Sequence, residues 1–465
     1  MSHEPDFLRN LQTELSSASQ WVDRAVVLAY AAAAGLSVVA FTLLSDWTFG
    51  LFLRMTSVSP WLPLLWTPAC TAFIVWLTRR HFQGAAGSGI PQVMAALEPG
   101  LESKRRYALV SLRLSFAKLG LSSLGFLGGL SIGREGPSVQ VAAGVMQHAK
   151  RWLRHDSGIS VHALLVAGGA AGIAAAFNAP LAGVIFAIEE LSRTLESRSS
   201  GLIIASIVLA GLIGVSTFGD EAFFGVIRVP TLGWSSLLEG LLVTLLCGML
   251  GGLFSRVMIA SLTGTPSNRF SRLRQRRPIY FAAAIGVVIA VIGLVTAGST
   301  YGSGSGAVHR MLGGTEESSW LFVVLKFIAT WLTAWSGVPG GIFAPSLSIG
   351  AGVGHNMAAL LNPEISAALI AVGMAGFLAA VTQAPLTSFI IVMEMVDGRA
   401  MVLSLMAAAM LASLVSRTIS RPLYGALAAF MLAPAEPASA SPNSVPATAT
   451  PAQSKPETEA PHPRP

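Results

Sequence analysis

The sequence predicts an all-α polytopic membrane protein, on three observations. The 465-residue chain is 53% hydrophobic and only 11% charged, whereas soluble domains carry roughly 25% charged residues. Its mean hydropathy is +0.64, and apolar runs of spanning length recur, for example at 26–44, 202–215, 237–259 and 280–297. The alternation of barrel strands is absent, so helices are left as the backbone that satisfies its own polar groups in lipid.

Each element follows in order. Residues 1–20 are polar and mildly amphipathic and read as a short cytoplasmic surface helix. They lack the charged-then-apolar layout of a cleaved signal. Residues 21–46 and about 59–80 read as spans. The stretch 84–91 is too glycine-rich for continuous helix, and a short helix starts after Pro91. Residues 107–130 read as one long span, apolar apart from Arg113 and Lys118. A helix at 138–147, an apolar segment at 161–192 and a span at 201–216 complete a first transmembrane repeat over 21–216. An external loop at 217–232 carries Asp220 and Glu221.

The second repeat covers 233–431. It has spans at 233–261, 279–297, 318–336 and 401–417, glycine-rich breaks at 302–306 and 337–345, an apolar stretch at 373–394, and a final short helix. Residues 432–465 are rich in Pro, Ala, Ser and Thr, bury no core, and are expected to be a disordered cytoplasmic tail.

Charge excludes some functions. The net charge is +7. Basic residues gather at segment ends: Arg79-Arg80-His81, Lys104-Arg105-Arg106, Lys150-Arg151 with Arg154, and the arginines from 269 to 277. Such clusters mark cytoplasmic loops. Each abuts an apolar segment, which argues against nucleic acid as a partner and for contact with membrane lipids. Cys70 and Cys247 sit in apolar surroundings and read as inert thiols. His162 and His355 have no ligand partner at helical spacing, so no metal is expected. The glycine-rich turn 302–306 has Gly at its centre and is not a nucleophile elbow. No phosphate-binding loop occurs. The expectation is therefore a protein that is not an enzyme and holds no cofactor.

An internal repeat is visible. Ala179-Pro180-Leu181 is followed by Glu189, and Ala384-Pro385-Leu386 by Glu394, at the same Pro-to-Glu spacing. Ala174, Ala175 and Ile185 match Ala379, Ala380 and Ile390 at the same offset. Glycine-rich breaks precede this element in both halves. Two halves with interrupted apolar segments at corresponding positions point to a transporter whose site lies at the repeat interface.

The chain is organised around Gly133-Arg134-Glu135-Gly136-Pro137. A carboxylate and a guanidinium at membrane depth are costly, which marks them as functional. The glycines break the helix, and Pro137 fits the first turn of a new one. A helix start presents unpaired N–H groups and partial positive charge, a setting for an anion. Two further starts, Ser88-Gly89-Ile90-Pro91 and Gly340-Gly341-Ile342-Phe343-Ala344-Pro345, offer the same backbone. None brings Lys or Arg except Arg134, which suits an anion that must also leave. Ser88 and Tyr424 supply hydroxyl donors.

These stretches, with Gly87 before Ser88 and with Pro422-Leu423-Tyr424, resemble the CLC family of chloride channels and proton/chloride antiporters, in order and spacing, over about residues 21–431. The resemblance implies a CLC-type fold of about 18 helices, many broken or re-entrant, in two inverted repeats. It implies a homodimer with one anion pathway per subunit. Ser88 and Tyr424 would coordinate the central anion through their hydroxyls, and Ile342 and Phe343 through backbone N–H groups. Glu135 would be the external gate, exchanging a proton as it swings. Glu190 would pass protons on the cytoplasmic side; family channels usually lack that glutamate.

Gly89, Ile90, Pro91, Gly133, Arg134, Gly136, Pro137 and Lys118 would line the pathway. Met94 and Thr194 stand near the internal proton route. Glu189 and Glu394 look architectural, because they match each other in the repeat while Glu190 matches nothing. The implied function is exchange of chloride for protons in a bacterial inner membrane, with both termini cytoplasmic. The alternative is a passive chloride channel of the same fold, gated by voltage or pH.

Overall fold

The computed structural model describes residues 18–192, 200–219, 223–224, 236–264, 269–315 and 319–433. The expectations for residues 1–17, for Thr194, for most of the 217–232 loop and for the tail beyond 433 lie outside the described residues. The first half contains α1 (Ala18–Val58), α2 (Pro63–His81), α3 (Ile90–Ala96), α4 (Ser103–Leu109), α5 (Leu112–Leu127), α6 (Glu135–His148), α7 (Val161–Phe177), α8 (Pro180–Phe186) and α9 (Ser200–Phe218). A π-helical turn, Ala187–Leu191, continues α8.

The second half contains α10 (Leu237–Thr263), α11 (Arg269–Arg276), α12 (Pro278–Val295), α13 (Ser305–Leu312), α14 (Trp320–Ser336), α15 (Phe343–Leu361), α16 (Ser366–Thr382), α17 (Pro385–Met395), α18 (Val402–Arg417) and α19 (Leu423–Leu432). Among the described residues, six helical stretches are long and apolar enough to span a bilayer. The only extended pairing among them is a single antiparallel bridge between Gly133 and Gly341.

Three sequence expectations are corrected. The span at 107–130 is two helices: Val110 is extended, and Ser111 caps α5 by accepting from the Leu114 N–H at 3.4 Å. The first span is not 21–46 but 41 residues long, about 60 Å at the α-helical rise, so it must tilt to fit a bilayer. And 346–372, which the sequence left without an element, forms the body of α15 and the start of α16. From 346 to 354 its Gly, Ala and Ser residues are all buried, so that stretch carries no apolar stripe.

The two halves repeat one another's packing. In the first, α7 packs on α6, α8 and α9; in the second, α16 packs on α15, α17 and α18. Close approach is made by small residues at a spacing of four, Gly168 and Gly172 on α7, Gly350 and Gly354 on α15. Helices α7 and α16 both end in a left-handed residue, Asn178 (φ 56°) and Gln383 (φ 61°), before a proline starts the next helix.

The two halves also hold each other. Glu189 accepts from the N–H groups of Leu386 and Thr387, at 3.0 and 2.7 Å, at the start of α17. Glu394 accepts from Leu181 and Ala182, at 3.3 and 2.8 Å, at the start of α8. Each carboxylate meets the positive end of the opposite helix. This reciprocity is what two halves related by a twofold axis require.

Candidate functional site

The site is built where the three predicted helix starts meet. The Gly133 N–H donates to the Gly341 carbonyl at 2.7 Å, the Gly341 N–H to the Gly133 carbonyl at 2.8 Å, and the Gly340 N–H to the Gly87 carbonyl at 3.1 Å. These bonds tie the loop before α3, the loop before α6 and the loop before α15 into one knot. Close approach requires glycine at two places. A Cβ on Gly136 would collide with Ser88 Oγ, and one on Gly133 would collide with the Glu135 carboxylate.

Glu135 is the first residue of α6 and is buried. Its carboxylate is aimed at the start of α15, where Oε2 accepts from the Ala344 N–H at 3.4 Å. The neighbouring N–H groups of Gly340 and Gly341 are used in the knot. Those of Ile342 and Phe343, between them and Ala344, have no partner among the described residues. An α-helix leaves its first N–H groups unpaired, and here a carboxylate of the same chain sits against them.

Two hydroxyls stand beside this helix start. Tyr424 is buried, its ring parallel to Phe343 with centroids 5.9 Å apart. Its hydroxyl and that of Ser88 lie next to one another, yet both are buried without a hydrogen-bond partner of sound geometry in the protein. Buried hydroxyls are nearly always bonded, so two adjacent orphans mark this place as a candidate binding point. A cavity of about 200 Å³ leads away from them, bounded by Gly87, Ser88, Pro91, Ile342 and Tyr424 among others.

The remaining predicted residues fall around this centre. Gly89 caps α3, and Ile90 and Pro91 open it; Pro137 lies in the first turn of α6. Arg134 does not pair with Glu135. Its guanidinium meets Asp46 of α1 at 2.9 Å and stacks over Phe223, 5.3 Å from the ring centroid. Lys118 does not snorkel: it is fully buried, and Nζ donates to the carbonyls of Ala85 (2.8 Å) and Gly87 (2.6 Å). Both cations are thus bonded to protein oxygens. Glu190 lies on the π-helical turn, half-buried, close enough to bear on the Tyr424 hydroxyl electrostatically. Met94 is half-buried in α3.

Three supporting residues were missed from sequence. Gln92 clamps the turn before α3: Oε1 accepts from the Gly89 N–H at 3.0 Å, and Nε2 donates to the Ala86 carbonyl. Asp46 was passed over as a helix end. Lys326 is buried on α14 and donates to the carbonyls of Thr300 (2.9 Å) and Gly302 (2.8 Å), the second-half counterpart of Lys118. The signal was present, since each lysine interrupts an apolar span just ahead of a glycine-rich break. Among the described residues no cluster of ligands suits a metal ion.

A protein-family model described as voltage gated chloride channel matches residues 70–417. The chain is 31% identical over 388 residues to the H(+)/Cl(-) exchange transporter ClcA of Citrobacter koseri, covering 80% of this chain and 79% of that one. It is 30% identical over 385 residues to the transporter of the same name from Salmonella paratyphi A, covering 79% and 78%. Among solved structures, a slow cyanobacterial Cl-/H+ antiporter superimposes with a TM-score of 0.73 at 27% identity, over 88% of this chain and 97% of that one. A CLC-type fluoride/proton antiporter, at 21% identity, shares the fold with a TM-score of 0.73 over 87% and 97%. With its spanning-length helices, this makes the molecule a multi-pass membrane protein in two inverted repeats. The chain belongs to the voltage-gated chloride channel family, the CLC family.

Proposed function

We propose that this protein exchanges chloride for protons across a bacterial cell membrane, as a homodimer with one pathway in each subunit and both termini cytoplasmic. The observation that carries this reading is the Glu135 carboxylate held at the start of α15, beside two buried hydroxyls that bind nothing in the protein. Relatives named as H(+)/Cl(-) exchange transporters support it.

Coupling follows from competition. An ionised Glu135 and a chloride ion are both anions, and both are served by the N–H groups at the start of α15. At a few ångströms their repulsion is large in a poorly solvated site, so they do not share it. Protonation removes the carboxylate's charge and its claim on those donors. The neutral side chain swings outward and chloride enters; when the proton leaves, the carboxylate returns and displaces the anion. Ser88, Tyr424, Ile342 and Phe343 hold chloride through neutral donors alone, which binds it and still lets it go. Glu190, on the cytoplasmic side of this centre, passes the proton between Glu135 and internal water.

The test is chloride flux with simultaneous pH recording in proteoliposomes. A chloride gradient should drive protons uphill in the wild type. Glu190→Gln should pass chloride and move no protons. A wild type that passes chloride and never moves a proton against its gradient would instead be a passive channel.

A further inference from the structure

The cavity below Ser88 and Tyr424 has one wall that the exchange mechanism does not use. Besides Gly87, Ser88, Ile342 and Tyr424 it is lined by Met258 of α10 and by Arg274 of α11. Arg274 is the one cation on that lining. α11 is a short basic helix joining the spans α10 and α12, and such a loop lies on the cytoplasmic side, so the cavity is the cytoplasmic mouth of the pathway.

Arg274 stands apart from its neighbours. Arg269, Arg272, Arg276 and Arg277 border an open surface groove. Arg274 is turned inward and half-buried, with Nη1 donating to the Ser261 carbonyl at the end of α10, 3.3 Å away. No carboxylate pairs with it among the described residues. Its near charged neighbour is Arg79, at the end of α2; burial and that second guanidinium both lower its affinity for its proton below the usual arginine value. A half-buried guanidinium with no carboxylate partner is costly, and an anion in the cavity that it lines relieves that cost.

We infer that Arg274 is the anion-capture residue of the cytoplasmic mouth, where its guanidinium concentrates chloride before the ion moves on to Ser88 and Tyr424. This rests on the chloride-transport reading above. The residue is neither a coupling group nor part of the central donor set. A cation lining a narrow, poorly solvated mouth raises the local anion concentration. It therefore governs how much chloride is needed on that side, and leaves turnover at saturating chloride unchanged.

The test is the dependence of flux on cytoplasmic-side chloride in proteoliposomes, for wild type, Arg274→Gln, Arg274→Lys and Arg272→Gln. Arg274→Gln should raise KM for chloride about two- to fivefold, as expected for loss of one partly screened charge, with kcat kept. Arg274→Lys should keep the wild-type KM, and Arg272→Gln, exposed on the groove, should shift it less than half as much. In Arg274→Cys, a cationic thiol reagent should restore the low KM and an anionic one should raise it further, with treated wild type as the reference. A packing role would not follow the sign of the reagent. The inference is overturned if Arg274→Gln has the wild-type KM, if it loses kcat alone, or if reagents of both signs act alike. A wild type that carries no chloride overturns the transport reading itself, a separate and distinguishable failure.

Discussion

The hydroxyls of Ser88 and Tyr424 lie against each other and have no other partner among the described residues, so removing either takes little from the fold. Ser88→Ala and Tyr424→Phe should each leave thermal unfolding within about 0.5 kcal/mol of wild type. Each should weaken chloride binding by about 1.5–3 kcal/mol, the worth of one hydrogen bond to a charged partner. Titration calorimetry beside unfolding scans separates the two; a loss of stability without a loss of affinity would make the hydroxyls structural. Motif residues such as these were legible because glycine, proline and a lone polar group inside an apolar stretch are informative by themselves. Their partners were not. Asp46 lies 88 positions from Arg134, and nothing in its own surroundings marks it. Arg134 read as a charge near the anion, and only the fold shows that its charge is spent on Asp46 and on Phe223.

Helix starts are the unit from which the protein is assembled, and the same start is used for two purposes. At α15 the Ala344 N–H serves Glu135; at α8 and α17 two N–H groups each serve Glu394 and Glu189. The second use is architectural. Glu189→Gln and Glu394→Gln should each destabilise the protein by about 1–2 kcal/mol, the upper range for a charge at a partly buried helix terminus. Their neighbour Glu190 makes no such bond among the described residues, so Glu190→Gln should unfold like the wild type while losing proton movement. Thermal unfolding in detergent distinguishes the pair from the odd one. The sequence repeat already set Glu189 and Glu394 apart from Glu190. It did not say that each reaches across to the other half, because matching positions carry no direction. Breaks made by Gly and Pro were legible for the same reason as the motifs. The break between α4 and α5 was not, since Val110 and Ser111 interrupt an apolar run without either residue.

The whole molecule is two halves that each bury a lysine under a glycine-rich break. Lys118 and Lys326 each donate to two carbonyls of the break, and of these the Gly87 carbonyl also accepts from the Gly340 N–H. Lys118→Met should therefore cost less than Lys326→Met, about 1–3 against about 2–4 kcal/mol, because the Gly87 carbonyl keeps the Gly340 N–H while both acceptors of Lys326 lose their donor. A larger loss for Lys118→Met in unfolding scans would mean that the Gly340 N–H does not stand in for the lysine at Gly87. All the candidate site residues come from one chain. In the homodimer proposed above, a mixed dimer of wild type with a Gly136→Trp copy, blocked where Ser88 must approach, should carry half the chloride flux of two wild-type copies; complete loss would mean that the pathway is shared. The two-half plan was legible from the repeat and the breaks, whereas the meeting of three loops in one knot depends on backbone bonds that no side chain announces.

The central claim is that Glu135 and chloride compete for the start of α15, and chloride binding measured by calorimetry between pH 5 and 8 tests it most directly. In the wild type, affinity should tighten as pH falls, because a protonated Glu135 releases the donors. In Glu135→Gln, which carries no charge at any pH, affinity should be higher, by about three- to tenfold at the alkaline end for one competing charge removed, and flat with pH. Equal affinity and equal pH dependence in the two proteins would mean that the carboxylate and the anion do not contend for one site.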